Sequence, residues 1–274
     1  MIAQPPTPPI RLIASDLDGT FLGRDGRPSP ANRDAVFQAA AVGVPTVFAT
    51  GRPSRWLDQP LASVRDANPL VITSNGGAVA DLHRGETLRA YPLDPATATA
   101  VVADIRTALP GASFAVEYTN EWGREERYFL DADFKEAGTI TDAPALLARG
   151  DVIKLLVRAD LPTTDLMARV SPVVGGRLNV TFSIVSQSGF LEMSRPGVSK
   201  ASTLLVLLDE FGIDPADVAA FGDMPNDLPL LDLVGHPFVM DNAHPSVKAR
   251  GYPVCGHHDE SAFAVTVRGL LGLS

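Results

Sequence analysis

Two aspartates close a short apolar run in Ile10-Arg11-Leu12-Ile13-Ala14-Ser15-Asp16-Leu17-Asp18-Gly19-Thr20. Spaced i, i+2 after a strand, Asp16 and Asp18 can meet at one mouth, where one carboxylate attacks an electrophile and the other moves protons. Gly19 lets the backbone approach an anion, and the Thr20 hydroxyl can hold the turn or its ligand. A plain turn competes with that reading, because Asp-Gly is a common turn dipeptide. Two more carboxylates, Asp223 and Asp227, stand in Gly222-Asp223-Met224-Pro225-Asn226-Asp227, and Lys200 opens an amphipathic segment. Taken singly, Asp227 could cap the helix through Leu231 and Lys200 could be a solvated lysine.

What decides between these readings is the set of elements that would carry the residues. The run ending at Ala14 reads as a buried parallel strand, followed by a helix from Ser29-Pro30 to Val42 that Gly43 closes. Val44 to Thr50 and Leu70 to Thr73 read as further strands, ending in Gly51-Arg52-Pro53 and Ser74-Asn75-Gly76-Gly77. A hairpin from Ala78 to Leu93 turns through His83-Arg84-Gly85. After the helix from Ser199 to Phe211 come strands at Val218 to Phe221 and Pro237 to Met240, and a last helix from Ser261 to Leu271 with Asp259 as its expected cap. Strands alternating with helices predict an α/β fold, a Rossmann-like doubly wound parallel sheet.

Between Pro92 and Phe190 the pattern changes to better-alternating strands among polar loops. It predicts an inserted α+β cap over 92–190, on a core of 1–91 and 191–274. Within the cap we expect helices from Ala96 to Leu109 and from Thr163 to Val170. Its strands are expected at Ala112 to Tyr118, Glu126 to Leu130, Val152 to Val157 and Asn179 to Val185. Each of five core strands then ends in polar residues: Asp16 and Asp18, Thr50, Asn75, Asp223 to Asp227, and Asn242. Ligands of open parallel sheets bind outside the carboxyl ends of the strands, so these clusters should converge on one crevice. Four carboxylates there would repel one another unless a cation sat among them, and oxygen ligands suit a hard ion, most simply Mg²⁺.

Composition narrows the class. The chain has 274 residues, 45% of them hydrophobic and 20% charged, which excludes a disordered chain. No apolar run is long enough to span a bilayer. The formal charge of −9 argues against nucleic acid or an anionic membrane as partner, so an anionic substrate needs local cations. Cys255 is the single cysteine, which fits a reducing cytoplasm, and Met1 to Pro9 reads as a proline-rich leader without signal-peptide character. His257-His258 near Cys255 reads as solvated tail histidines rather than a transition-metal site. The oligomeric state is left open.

Asp16-Leu17-Asp18-Gly19-Thr20, Thr50-Gly51-Arg52, Lys200 and Gly222-Asp223-Met224-Pro225-Asn226-Asp227 resemble, in order, the four motifs of the haloacid dehalogenase superfamily. Asn75-Gly76-Gly77, Asn242-Ala243 and the position of the insert are similar to its Cof-type phosphatases, so the resemblance covers nearly the whole chain. It implies that Asp16 is the nucleophile, forming an aspartyl-phosphate, and that Asp18 is the acid and base. It also implies that Thr50, Gly51, Lys200 and Asn226 hold the phosphoryl group, and that Asp16, Asp18 and Asp223 hold Mg²⁺, with Asp227 acting mainly behind them. Ala201 and Asp241 depart from the glycines usual in the family.

The cap should choose the leaving group. Glu117, Tyr118, Trp122, Arg124 and Arg127 form its densest polar and aromatic stretch, and a solvated loop around Gly123 is the competing reading. Arg124 and Arg127, with Arg52, Asn75 and Gly76 in the core, are the candidate substrate contacts. The resemblance implies a Mg²⁺-dependent phosphomonoesterase acting on a small phosphorylated metabolite, by default a sugar phosphate. A phosphomutase with the same nucleophile and a non-catalytic binder of phosphorylated metabolites are the alternatives.

Overall fold

The computed structural model describes residues 10–128 and 136–273. The expected leader, 1–9, and the end of the strand expected through Leu130 lie outside the described residues. The described residues form fourteen strands, in chain order: β1 Leu12–Ser15, β2 Thr46–Ala49, β3 Leu70–Thr73, β4 Ala78–Asp81, β5 Glu86–Ala90, β6 Ser113–Glu117, β7 Trp122–Arg124, β8 Thr139–Ile140, β9 Lys154–Ala159, β10 Asn179–Thr181, β11 Gly189–Ser194, β12 Val218–Gly222, β13 His236–Met240 and β14 Val254–Gly256.

The first sheet has the order β14-β13-β12-β1-β2-β3-β4-β5. From β14 to β3 the pairing is parallel, and the hairpin β4-β5 adds an antiparallel edge. Its inner strands β1, β2, β3 and β12 are buried on both sides because helices cover both faces. Ile13, Phe48, Val71 and Phe221 pack with the helices Pro30–Ala41 and Ala262–Leu271. Leu12, Ala14, Val47 and Ala220 pack on the opposite face with Leu204, Leu207 and Leu208 of the helix Lys200–Phe211. This is the doubly wound core that the alternation of strands and helices predicts.

Sheet two has the order β10-β11-β9-β6-β7-β8. Its helices lie on one face only, where Phe114, Val116, Leu155, Val157, Leu191 and Met193 form a core with the helices Pro95–Ala108, Ala143–Leu147 and Thr163–Val174. The alternate residues on the same strands, Ala115, Glu117, Lys154, Leu156, Phe190 and Glu192, therefore occupy the other face. β11 pairs wholly within this sheet, so the sheet continues to Ser194, past the seam expected at 190.

Three local expectations change. The strand expected at Glu126 to Leu130 is instead β7, because a tight turn closed by the Tyr118 N–H on the Glu121 carbonyl starts the pairing at Trp122. The strand expected from Asn179 to Val185 stops at Thr181, after which Ser183 turns its hydroxyl to Glu192. Ser261, at φ +58, opens the last helix without a side-chain cap, since Asp259 is occupied with Arg24. No helix among the described residues is long and apolar enough to cross a membrane.

Candidate active site

The floor of the crevice lies where β1 and β12 end. Asp16 still donates its N–H to the Phe221 carbonyl at 3.0 Å, so the sheet itself aims its side chain. Oδ1 of Asp16 accepts a hydrogen bond from Lys200 Nζ at 2.6 Å, and the same ammonium donates to Oδ1 of Asp227 at 2.6 Å. Lys200 is the first residue of its helix, fixed in direction by a capping box between Ser199 and Ser202. Gly76 makes room for that helix start. At φ +105 it lies so close that a methyl group on it would stand 2.4 Å from the Ser199 carbonyl oxygen.

Oδ2 of Asp227 accepts the N–H groups of Asp223 and Met224 at 3.1 and 3.0 Å, so both of its oxygens serve protein donors. Asp223 accepts from the Thr20 hydroxyl at 3.3 Å. Gly19, at φ +73, slides beneath it, where any side chain would strike Oδ2 of Asp223 at 2.4 Å. Carboxylate oxygens of Asp16, Asp223 and Asp227 come within 4.8 Å of one another. Burial pushes the Asp16 carboxyl up to about 7 against the pull of Lys200, and burial with repulsion from Asp16 and Asp227 pushes Asp223 up to about 9. Burial opposes the charge on Lys200, yet Asp16 and Asp227 hold its pKa above the ordinary lysine value.

Around the floor stand the ends of β2 and β3. Arg52 grips Asp18 with two bonds, Nε at 2.8 Å and Nη2 at 2.5 Å, and its own N–H donates to the Thr50 hydroxyl at 3.1 Å. Asn226 donates its amide to Oδ1 of Asn75 at 3.0 Å. That leaves Nδ2 of Asn75 and Oδ1 of Asn226 buried with no partner among the described residues, one donor and one acceptor.

The roof comes from the open face of the second sheet. Lys154 on β9 donates to the Gly51 carbonyl at 2.7 Å and to Oε1 of Glu192 on β11 at 2.7 Å. The Ser183 hydroxyl donates to the other oxygen of Glu192 at 2.7 Å. Beside them Arg55 of the core pairs with Glu117 and Glu136 of the cap, and Trp56 donates to Glu136 at 2.8 Å. Burial raises the Glu117 pKa, opposed by Arg55 and Lys154.

This arrangement has relatives. The model of the haloacid dehalogenase-like hydrolase family matches residues 13–266. The chain belongs to that family. Among haloacid dehalogenase-like relatives, an HMP-PP phosphatase of Cronobacter sakazakii is 32% identical over 261 residues, 93% of each chain. Another of the same name, from an Enterobacter species, is 31% identical over 254 residues, 90% of each chain. A solved structure from Streptococcus mutans superposes with a TM-score of 0.82 at 20% identity, covering 96% of this chain and 99% of its own. A solved HAD subclass IIB sugar phosphatase gives 0.79 at 19% identity, covering 95% and 99%; at such identities the likeness shows the fold. Within its family the chain is an enzyme of the phosphatase branch, a hydrolase of phosphoric monoesters.

A haloacid dehalogenase-like site calls for a hard cation, and the donor set fits one. Three carboxylates meet a single lysine, all oxygen ligands, and burial together with their mutual repulsion pushes two of them, Asp16 and Asp223, toward protonation.

The core residues picked out in the sequence come together. Asp16, Lys200, Asp223 and Asp227 share the floor, Asp18, Thr50, Arg52, Asn75 and Asn226 surround it, and Gly51 links floor to roof. Gly76 serves the lysine helix. In the cap, Arg124 pairs opposite Ala115 on the face shared with Glu117 and Lys154 and donates to the carbonyls of Glu125 and Glu126, while exposed Arg127 lines an open cavity with Arg106, Glu125 and Asp142. The roof is built from Lys154, Glu192, Ser183 and Arg55, none of them singled out. A lysine and a glutamate inside the apolar strands Lys154-Leu155-Leu156-Val157 and Phe190-Leu191-Glu192-Met193 were the available signal.

Proposed function

We propose that the chain is a Mg²⁺-dependent phosphomonoesterase that works through an aspartyl-phosphate on Asp16. The observation that carries this reading is the buried Asp16–Lys200–Asp227 array beside Asp223 at the carboxyl ends of β1 and β12. The Asp16 and Asp223 carboxylates, with the Asp18 backbone carbonyl, would hold Mg²⁺, which supplies positive charge against the phosphate oxygens. Asp227 keeps Lys200 and the backbone of Asp223 in place.

In the first step a carboxylate oxygen of Asp16 bonds to phosphorus as the ester oxygen leaves, and Asp18 gives that oxygen its proton. In the second, Asp18 takes a proton from water, whose oxygen bonds to phosphorus, and the acyl-phosphate bond breaks to free Asp16 and inorganic phosphate. Lys200 fixes the Asp16 rotamer and meets charge on the transferring group, while Thr50 and the Gly51 amide position its oxygens. Asp18 must first leave the two-pronged grip of Arg52. An arriving phosphoryl dianion offers Arg52 a new partner and so couples substrate entry to release of the acid.

The substrate is a small phosphorylated metabolite. Relatives named HMP-PP phosphatase and a structural neighbour named a sugar phosphatase put HMP-PP and sugar phosphates first on a panel. The test is phosphate release from that panel with Mg²⁺ or with chelator, with Asp16→Asn as control. Mg²⁺-dependent release that the variant lacks is the expected result, and release unaffected by chelator overturns the reading.

A further inference from the structure

The two histidines near the end of the chain, expected to be solvated, are held by the fold. His258 is 9% exposed and donates its Nδ1–H to the Leu22 carbonyl at 2.8 Å. A carbonyl only accepts, so in the neutral ring this bond puts the proton on Nδ1 and the lone pair on Nε2. A backbone carbonyl behind an imidazole is the arrangement that orients metal-binding histidines. The ring of His257 stands beside it, with the two centroids 4.8 Å apart.

Asp259 faces both rings. One of its oxygens, Oδ2, lies 3.9 Å from Nδ1 of His257, and the other, Oδ1, lies 3.8 Å from Nε2 of His258. Both separations are too long for hydrogen bonds. Two donors bound to one zinc ion stand about 3.4 Å apart at a tetrahedral angle, so movements of about half an ångström bring these atoms onto one ion. One donor atom from each of the three residues lies within 4.8 Å of the other two.

The bonds already made leave these donors available. Asp259 accepts the Arg24 N–H at 3.1 Å and pairs with Nε of Arg24 at 2.9 Å, which leaves its carboxylate about two acceptor sites. That ion pair is exposed on the arginine side and is easily given up. Nδ1 of His257 accepts the Asp259 N–H at 3.2 Å, a long bond that a metal would replace. Asp25 adds negative charge nearby, since a methyl group on Gly23 would touch Oδ1 of Asp25 at 3.4 Å and Oδ1 of Asp259 at 3.5 Å.

We propose that His257, His258 and Asp259 form a second metal site, separate from the carboxylate floor, which takes a divalent transition ion of the zinc class. Two imidazoles and a carboxylate favour such an ion over Mg²⁺, which prefers oxygen and dehydrates reluctantly. Water completes the coordination, because His257 and Asp259 are partly open to solvent. An ion here clips the end of the chain to the loop at Leu22 and Arg24. The same segment reaches the floor from behind: the His258 N–H donates to Oδ1 of Asn242 at 3.2 Å, and the Asn242 amide donates to the Gly19 carbonyl at 2.7 Å.

The test titrates Zn²⁺ into the untagged, metal-free full chain by calorimetry, with saturating Mg²⁺ present to occupy the floor, and repeats the titration with Co²⁺ to read nitrogen ligation from its visible absorption. Wild type should bind one Zn²⁺ per chain in the micromolar range. His257→Ala and Asp259→Asn, both at partly exposed positions, should each weaken binding by about 100-fold or more, since loss of a ligand exceeds the tenfold to 100-fold effect of losing an outer partner. Asp223→Asn should leave Zn²⁺ affinity within about threefold. Thermal unfolding should follow suit, with a Zn²⁺-dependent rise in Tm that wild type and Asp223→Asn show and the other two variants lack. Unchanged affinity in both His257→Ala and Asp259→Asn would overturn the site, as would wild type that binds no Zn²⁺ beside Mg²⁺. Loss of binding in Asp223→Asn alone would place the ion in the floor and overturn it equally.

Discussion

At the floor of the crevice Asp16, Asp223 and Asp227 share one lysine, whereas at the roof Lys154 meets Glu192 and Arg55 meets Glu117 and Glu136. Asp16, Lys200, Asp223 and Asp227 are buried at strand ends and a helix start, and Lys154, Glu117 and Glu192 are buried on strands of the second sheet. The floor sets three carboxylates against one lysine, while the roof sets three against a lysine and an arginine, and burial raises the carboxyls of Asp16 and Asp223 as it does that of Glu117. The larger charge deficit, which the fold maintains at a cost in stability, is an invitation to an ion and an anionic substrate, and the roof is closer to balance.

The comparison breaks first at Asp16, the proposed nucleophile. Asp16→Asn should lower turnover by about three orders of magnitude, the scale on which removal of an attacking group acts, while Glu192→Gln keeps p-nitrophenyl phosphate turnover near wild type. Steady-state rates on purified protein decide this, and a variant that retained a tenth of the wild-type rate would remove Asp16 from the chemistry.

Metal dependence of stability is the next largest effect. Mg²⁺ at about 100 times its dissociation constant should stabilise the native protein by roughly 2.7 kcal/mol, because the unfolded chain scatters the carboxylates. Asp223→Asn should lose most of that gain, and Glu192→Gln should keep all of it. Thermal unfolding at constant ionic strength, with and without Mg²⁺, separates binding from general screening. Equal shifts in wild type and Asp223→Asn would show that the floor is no more a cation site than the roof.

A pH series sharpens the same contrast. Asp16 and Asp223, at about 7 and about 9, lie above the 3.8 ordinary for an aspartate, so the native state binds protons that the unfolded chain has released. Their contribution is full below about pH 4 and is lost as pH rises through the folded values. The metal-free protein should therefore unfold at progressively lower temperature from about pH 5 to about pH 9. Saturating Mg²⁺ should flatten that slope by taking the place of the protons, and a slope unchanged by Mg²⁺ would assign it to other groups.

The smallest effect is expected at Arg127. Exposed and outside the roof, it should tolerate Arg127→Glu with kcat/KM changed by no more than about twofold on every substrate, as for ordinary surface changes. A selective loss on large substrates would return that arginine to the substrate path.

Much of the floor was legible in the residues because each chemical group stands where a strand stops. In a parallel sheet covered on both faces, the carboxyl ends of neighbouring strands must open at one edge, so Asp16, Thr50, Asn75 and Asp223 converge once the strands are recognised. Lys200 could be placed for a similar reason, since a Ser199 cap fixes where its helix begins.

The cap lacked that rule. Alternation along β9 shows that Lys154, Leu156 and Arg158 share a face, but it does not tell which face looks at the core. Glu192 lies 38 positions from Lys154 and reaches it only because β11 pairs with β9. The dense stretch from Glu117 to Arg127 stands out by its composition, but where its residues lie is set by a turn at Tyr118 to Glu121 and the pairing of β7 with β6, with Nη1 of Arg124 donating to the carbonyls of Glu125 and Glu126. Sequence alone determined the candidate catalytic edge, because strand ends and helix caps are set by local patterns. Only the tertiary structure decided the roof, because pairing between distant strands and the docking of one sheet face depend on contacts that no local pattern encodes.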